Sequence, residues 1–101
     1  MTLSVMLIDD HPVVRAGLRA VLNSFDGVEV VAEAADGNAE VPDGVDVVVS
    51  DIQMPGASGI ELTRRLVQAG GPPVLILTTY DTQADVVAAV EAGAMGYLLK
   101  D

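Results

Sequence analysis

The chain has 101 residues, half of them apolar, and it carries 15 acidic against 5 basic side chains for a formal net charge of −10. This length fits one small domain, and the apolar fraction excludes a disordered chain. The acidic excess argues against binding to nucleic acid phosphates, and the lack of cysteine excludes disulfides and thiolate metal sites. With no basic leader and no apolar run long enough for a bilayer, we expect a soluble, cytoplasmic domain without membrane contact.

Short apolar runs along the chain predict β-strands. Most of the runs are continuous rather than alternating, which is typical of strands that are buried on both faces of a parallel sheet. They occupy residues 5–8, 28–34, 45–49, 74–77 and 97–99.

The segments between these runs predict helices. Pro12 suits the first turn of a helix that carries an apolar stripe and ends at Asn23. A second helix is predicted around residues 60–67, and a third begins at residues 81–82 and stops at Gly93. Alternating strands and helices predict right-handed crossovers and a doubly wound α/β sheet.

Two places depart from this regular alternation. Residues 37–44 contain Pro42 and are too few for an ordinary crossover helix, so we expect one helical turn or an irregular loop. The chain also ends shortly after the last predicted strand, which leaves only one long helix for one face of the sheet. We therefore expect that either a terminal helix is missing or something else covers that face. A missing helix would expose apolar surface near Val5, Leu7 and Leu98, which would favour a homodimer or exchange of elements between copies.

Polar side chains follow the predicted strands. Acidic residues follow the first and third strands, and a hydroxyl and an ammonium group follow the last two; these residues are Asp9, Asp10, Asp51, Thr78 and Lys100. They should meet at one edge of the sheet, where the carboxyl ends of parallel strands lie together. Clustered carboxylates repel one another unless a cation neutralises them, and oxygen ligands favour a hard ion such as Mg²⁺. Such a site suits phosphoryl transfer onto an aspartate.

Four ordered motifs resemble the receiver domain of bacterial two-component response regulators. They are Asp9-Asp10, residues 51–56, Thr78-Thr79 and residues 96–100. The start Asp9-Asp10-His11-Pro12 and the end Leu99-Lys100-Asp101 are similar to NarL/LuxR-type transcriptional regulators. The resemblance covers residues 1–101 as one receiver domain, truncated after the fifth strand. It implies a flavodoxin-like or CheY-like parallel sheet in the order 2-1-3-4-5, with a shortened second helix and without the last helix.

The resemblance implies a role for each acidic residue of the site. Asp51 would be the phosphoacceptor. Asp9, Asp10 and Asp51 would hold Mg²⁺ together with the main-chain carbonyl of Gln53. Asp9 would act directly or through a water molecule.

The resemblance also assigns the residues at the ends of the last two strands. Lys100 and Thr78 would bind the phosphoryl oxygens, and Thr79 would contribute its main chain beside them. Tyr97 would be the switch aromatic, which turns inward when Thr78 moves toward the phosphate.

The implied function is that of a signalling switch. The domain would accept a phosphoryl group from a sensor histidine kinase and catalyse only its own phosphorylation and dephosphorylation. It would control transcription through a helix-turn-helix DNA-binding domain that is absent from this chain. One alternative is a pseudo-receiver that acts as an interaction module. Another is a haloacid-dehalogenase-type phosphatase, which places a second aspartate where this chain has Gln53.

Two further features have simpler interpretations. His11 lies beside two acids, but its expected role is to precede Pro12 at the entry to a helix rather than to bind metal. Arg64 and Arg65 are expected to form a solvated helix face.

Overall fold

The computed structural model describes residues 2–52, 54, 56–78 and 83–99, with the main chain only for Thr78, Gln83 and Leu99. These residues form five strands and three helices. In chain order the elements are β1 (Leu3–Ile8), α1 (Pro12–Asn23), β2 (Val28–Ala34), β3 (Val47–Ser50), α2 (Gly59–Ala69), β4 (Val74–Thr78), α3 (Gln83–Ala92) and β5 (Gly96–Leu99). Every predicted strand and helix is present, although the predicted start of the third helix at 81–82 lies outside the described residues.

The strands form one parallel sheet in the order β2-β1-β3-β4-β5, which confirms the predicted doubly wound fold. The central strands β1 and β3 are the most deeply buried, as their continuous apolar sequences predict. Ile8 of β1 pairs with Ser50 of β3, so the chain leaves both strands at the same edge. This register makes the residues that follow β1 and β3 close neighbours.

Two layers of apolar side chains hold helices on the sheet. Helices α2 and α3 pack over one face, where the buried cluster includes Met6, Ile8, Val48, Leu62, Ile76 and Ala89. Helix α1 packs over β1 and β2 on the opposite face. The described helices all fall short of the length and apolarity that a membrane span requires.

The face below α1 differs from the sequence-based prediction. Val5 and Leu7 are 2% and 1% exposed, so the expectation that they would be exposed is wrong. They belong to a buried cluster against which Leu18 and Leu22 of α1 pack, and one helix is therefore enough to cover them. Leu98 is 54% exposed, as expected.

The connection between β2 and β3 is an irregular loop over residues 35–46, the second of the two predicted alternatives to an ordinary helix. The Arg65 guanidinium of α2 donates to the carbonyl oxygens of Gly37 and Ala39 at 3.1 and 2.8 Å. The amide of Gly37 donates to the carbonyl of Ala57 at 3.1 Å. A Cβ at Gly37 would collide with that same carbonyl, so only glycine allows this approach. The loop is thereby attached to the segment that follows β3.

Candidate metal and phosphoacceptor site

The ends of β1 and β3 bring three carboxylates together. The amide of Asp51 donates to the carbonyl of Ile8 at 3.0 Å, and the amide of Asp9 donates to the carbonyl of Ala34 at 3.1 Å. The strand pairing therefore continues to the first acidic residue on each chain segment. Ligand atoms from Asp9, Asp10, Asp51 and His11 all lie within 4.8 Å of one another.

The buried Asp9 is held by the first turn of α1. Its side chain is 1% exposed, and Oδ1 accepts the main-chain N–H of His11 at 2.9 Å. Arg15 donates from its guanidinium to the carbonyl oxygen of Asp9 at 2.6 Å and, through Nε, to Glu33 of β2 at 3.1 Å. Arg15 thus connects the acidic site to the edge strand.

Asp51 is fixed by the start of the next helix. It is 8% exposed, and its Oδ1 accepts the N–H of Ile52 at 2.6 Å. The amide of Gly59 donates to the carbonyl of Ile52 at 2.9 Å. Ser58 and Glu61 form a capping box, in which each side chain accepts the other residue's main-chain N–H. The main chain next to Asp51 is therefore held by the start of α2, and the N-terminus of that helix is capped.

The carboxylate of Asp10 indicates whether the site fits a metal ion. Its Oδ1 is buried and has no hydrogen-bond partner in the described part of the chain. A buried carboxylate oxygen without a donor is costly unless a cation compensates for it. Carboxylate oxygens are also the ligands that hard divalent cations prefer. The residues at this edge therefore fit a divalent metal ion.

Two of the remaining predicted site residues lie on β4 and β5. Thr78 is the last residue of β4, and its main chain pairs with Leu99. Tyr97 pairs with Ile76, is half-buried, and packs against the core below α2 and α3. The predicted ligand Gln53 and the predicted phosphate-binding residues Thr79 and Lys100 lie outside the described residues.

His11 lies closer to the acidic cluster than its predicted role at the entry to a helix requires. It does precede Pro12 at the entry to α1, as predicted. Its imidazole also points into the acidic cluster, with Nδ1 at 3.0 Å from Asp10 Oδ1 and 3.4 Å from Asp9 Oδ1. The adjacency of His11 to the two acids was the available signal, but sequence alone does not give the direction of a side chain at a helix entry.

Comparison with known proteins agrees with this arrangement. The family model of the response regulator receiver domain matches residues 5–101. The chain belongs to this family. Among curated relatives, the nitrate/nitrite response regulator NarP of Escherichia coli K12 is 43% identical over 102 residues, covering 96% of this chain and 47% of the relative. The response regulator UvrY of the same strain is 41% identical over 103 residues, covering 97% and 47%.

Solved structures give the same result for the receiver fold. The response regulator ChrA of a heme-sensing two-component system is 73% identical, with a TM-score of 0.90, and the match covers 99% of this chain and 50% of that one. A LuxR-family response regulator from Aurantimonas sp. SI85-9A1 is 42% identical, with a TM-score of 0.92, covering 100% and 76%. The chain spans about half the length of the curated relatives it matches. It is a receiver domain of the NarL/LuxR type, as its motifs indicated.

Proposed function

We propose that residues 1–101 form a single receiver domain in which Asp51 accepts a phosphoryl group from the phosphohistidine of a sensor histidine kinase, in a reaction that depends on Mg²⁺. One observation carries the proposal: Asp51 directly follows the central strand β3 and lies among the carboxylates of Asp9 and Asp10, in a member of the receiver family. An aspartate held among acidic groups can react with a phosphoryl donor only where positive charge offsets the accumulated negative charge.

The metal ligands we propose are Asp9, Asp10, Asp51 and the main-chain carbonyl of Gln53. When bound, Mg²⁺ supplies the positive charge that balances the carboxylates and the phosphoryl oxygens. The chain keeps Asp9 and Asp51 in place through main-chain N–H groups: His11 donates to Asp9 Oδ1, and Ile52 donates to Asp51 Oδ1.

In the reaction, a carboxylate oxygen of Asp51 bonds to phosphorus while the bond between phosphorus and the kinase histidine breaks. The electron pair of that bond stays on the imidazole nitrogen, and the product is an acyl phosphate on Asp51. Lys100 and Thr78 bind the phosphoryl oxygens, with the main chain of Thr79 beside them. We propose that the domain transforms no external small-molecule substrate, because Gln53 occupies the position where a haloacid-dehalogenase-type phosphatase has its second aspartate.

We propose Thr78 and Tyr97 as the switch. Thr78 is the last residue of β4, and Tyr97 lies on the neighbouring strand β5. In the sheet, Thr78 pairs with Leu99 and Tyr97 pairs with Ile76. Phosphorylation stabilises the state in which the Thr78 hydroxyl contacts the phosphate, and Tyr97 then turns further into the core. This changes the surface around β5, which communicates the signal to an output.

The proposed partners follow from the family. The donor is a cognate sensor histidine kinase, and the output is transcription through a DNA-binding domain such as the longer NarL/LuxR-type relatives suggest. The relative ChrA belongs to a heme-sensing system. A heme-responsive kinase is therefore the first donor to test.

Acetyl phosphate replaces the kinase in the deciding experiment. With Mg²⁺, we expect the intact chain to gain the mass of one acid-labile phosphoryl group, and Asp51→Asn to abolish this gain. Asp43→Asn is the matched control, because Asp43 is an exposed aspartate in the loop before β3. Labelling that persists in Asp51→Asn would show that another residue accepts the phosphoryl group. Equal labelling after removal of Mg²⁺ would contradict the metal dependence.

A further inference from the structure

The imidazole of His11 points toward the carboxylates without contributing to the cap of α1. His11 is the N-cap residue, with extended main chain and no side-chain capping hydrogen bond. Its side chain is 66% exposed, and yet Nδ1 approaches two carboxylate oxygens, at 3.0 Å for Asp10 and 3.4 Å for Asp9. Helix formation therefore does not account for this orientation.

A hydrogen bond does not account for it either. Asp10 Oδ1 is buried and has no hydrogen-bond partner in the described residues, although His11 Nδ1 is 3.0 Å away. The two atoms therefore lie close together without a hydrogen bond between them. In the tautomer that carries its proton on Nε2, Nδ1 presents a lone pair, and this nitrogen and the oxygen then have the arrangement of two ligands of one cation.

The separations agree with such an arrangement. An octahedral ion with ligands at roughly 2.0–2.1 Å places adjacent ligand atoms about 2.9 Å apart. The two distances from His11 Nδ1, 3.0 and 3.4 Å, lie at and slightly above this spacing. Ligand atoms from His11, the two neighbouring acids and Asp51 all fall within 4.8 Å of one another.

We propose that His11 Nδ1 is a ligand of the divalent cation held by Asp9 and Asp10, and that it determines the metal selectivity of the site. This inference rests on the proposed metal site and extends it. Imidazole suits borderline metals better than it suits Mg²⁺, for which oxygen ligands are preferred. The mixed nitrogen and oxygen site therefore favours Mn²⁺, Co²⁺ and Ni²⁺ over Mg²⁺ more strongly than a site of oxygen atoms alone.

The composition of the chain allows a direct test. His11 is the single histidine in the sequence, so an imidazole nitrogen bound to metal can come from no other residue once any affinity tag is removed. We expect electron spin-echo spectra of the Mn²⁺-loaded chain to contain ¹⁴N modulation. The signal should change to that of ¹⁵N when histidine is labelled, and it should disappear in His11→Ala.

Affinities provide a second readout. Calorimetry measures the dissociation constants for Mg²⁺ and Ni²⁺. We expect His11→Ala to weaken Ni²⁺ binding by at least roughly tenfold, because loss of a residue that only supports a metal ligand already costs about this much. Mg²⁺ binding should change less. The melting temperature of metal-free His11→Ala should match that of the unmodified chain, because the side chain is exposed and caps nothing.

The Asp10→Asn variant distinguishes the role of His11 from the existence of the metal site. If Mn²⁺ binds and Asp10→Asn weakens it, but no nitrogen signal is present and His11→Ala keeps the ratio of Ni²⁺ to Mg²⁺ affinity, the role of His11 is overturned and the proposed function stands. If neither Mg²⁺ nor Mn²⁺ binds the unmodified chain, both are overturned.

Discussion

Gly59, the first residue of α2, packs so closely against the carbonyl oxygen of Asp51 that a Cβ on Gly59 would collide with it. The amide of Gly59 also donates to the carbonyl of Ile52 at 2.9 Å. The start of the helix and the main chain of the proposed phosphoacceptor are therefore fixed to one another. Substitution of this glycine has to move one of them.

We expect Gly59→Ala to destabilise the domain by about 1–3 kcal/mol, the range for overpacking a buried position. Gly17→Ala is the matched control, because Gly17 also lies in a helix but has no atom within 4 Å of where its Cβ would be. That substitution should stabilise the domain by roughly 0.5–1 kcal/mol, since alanine favours helices. Urea unfolding measures both changes. Equal effects of the two substitutions would show that the contact with Asp51 has no energetic consequence.

Divalent metal should stabilise the folded chain. Binding to the folded state alone adds RT ln(1 + [L]/Kd), or about 1.4 kcal/mol at a concentration ten times Kd, which raises the melting temperature by several degrees in a domain of this size. Asp10→Asn should remove most of this shift. It should also raise the melting temperature of the metal-free protein, because one repelling charge is lost. Calorimetric scans with Mg²⁺ and with a chelator test both effects, and melting curves that do not respond to Mg²⁺ would count against the metal site.

The loop between β2 and β3 depends on Arg65, which donates to the carbonyl oxygens of Gly37 and Ala39. We expect Arg65→Ala to cost about 1 kcal/mol, at the low end for charge-assisted hydrogen bonds because the group is partly exposed. Arg64→Ala removes the same charge from an adjacent exposed position that has no such contact in the described residues, and it should stay within about 0.5 kcal/mol. Denaturant midpoints and proteolysis of residues 36–46 report the difference. Similar losses of stability in the two variants would show that the hydrogen bonds from Arg65 to the loop do not stabilise the domain.

Much of the fold could be predicted because it follows from short-range patterns. Continuous apolar strands such as β1 and β3 are explained by burial on both faces, and glycines such as Gly70, with a φ of 70° at the end of α2, mark where helices stop. The convergence of Asp9, Asp10 and Asp51 then follows from topology, since all parallel strands end at one edge.

What could not be predicted involves contacts of long side chains over large separations in sequence. Arg65 reaches a loop 26 and 28 residues earlier in the chain, and periodicity only marks it as a helix surface position. The burial of Leu7 likewise depends on how α1 lies over the sheet. Neither a helix crossing position nor a rotamer is encoded in the apolar pattern.

Arg15 and Arg19 provide a further matched pair, because both contact Glu33 but only Arg15 reaches the carbonyl of Asp9. We expect Arg19→Ala to cost at most about 0.5 kcal/mol, as is typical of an exposed ion pair. Arg15→Ala should cost more and should also weaken Mg²⁺ binding, since the main chain of a proposed ligand loses its support. Calorimetric titration of both variants with Mg²⁺ checks this. A Mg²⁺ affinity that is the same in the two variants would show that Arg15 does not support the metal site.

We expect the exposed apolar side chain of Leu98 to favour self-association. It pairs with Leu77 in the sheet and lies on the same face as the half-buried Leu75, beyond the strands that α1 covers. Apolar area of this kind is a common site of contact between protein molecules. The net charge of −10 opposes association, so dimers should increase with ionic strength as repulsion is screened.

We expect light scattering to show a dimer fraction that grows with concentration and falls in Leu98→Lys. Val90→Lys is the control, because it adds the same charge at an exposed valine on α3, over the opposite face of the sheet. If the lysine acted only through net charge, it would lower the repulsion between copies equally in the two variants, and neither dimer would dissociate. If Leu98 forms the contact, Leu98→Lys alone dissociates the dimer, because a buried ammonium without a partner is costly. A monomer at every concentration and salt condition would exclude this surface as an interface between copies of the chain.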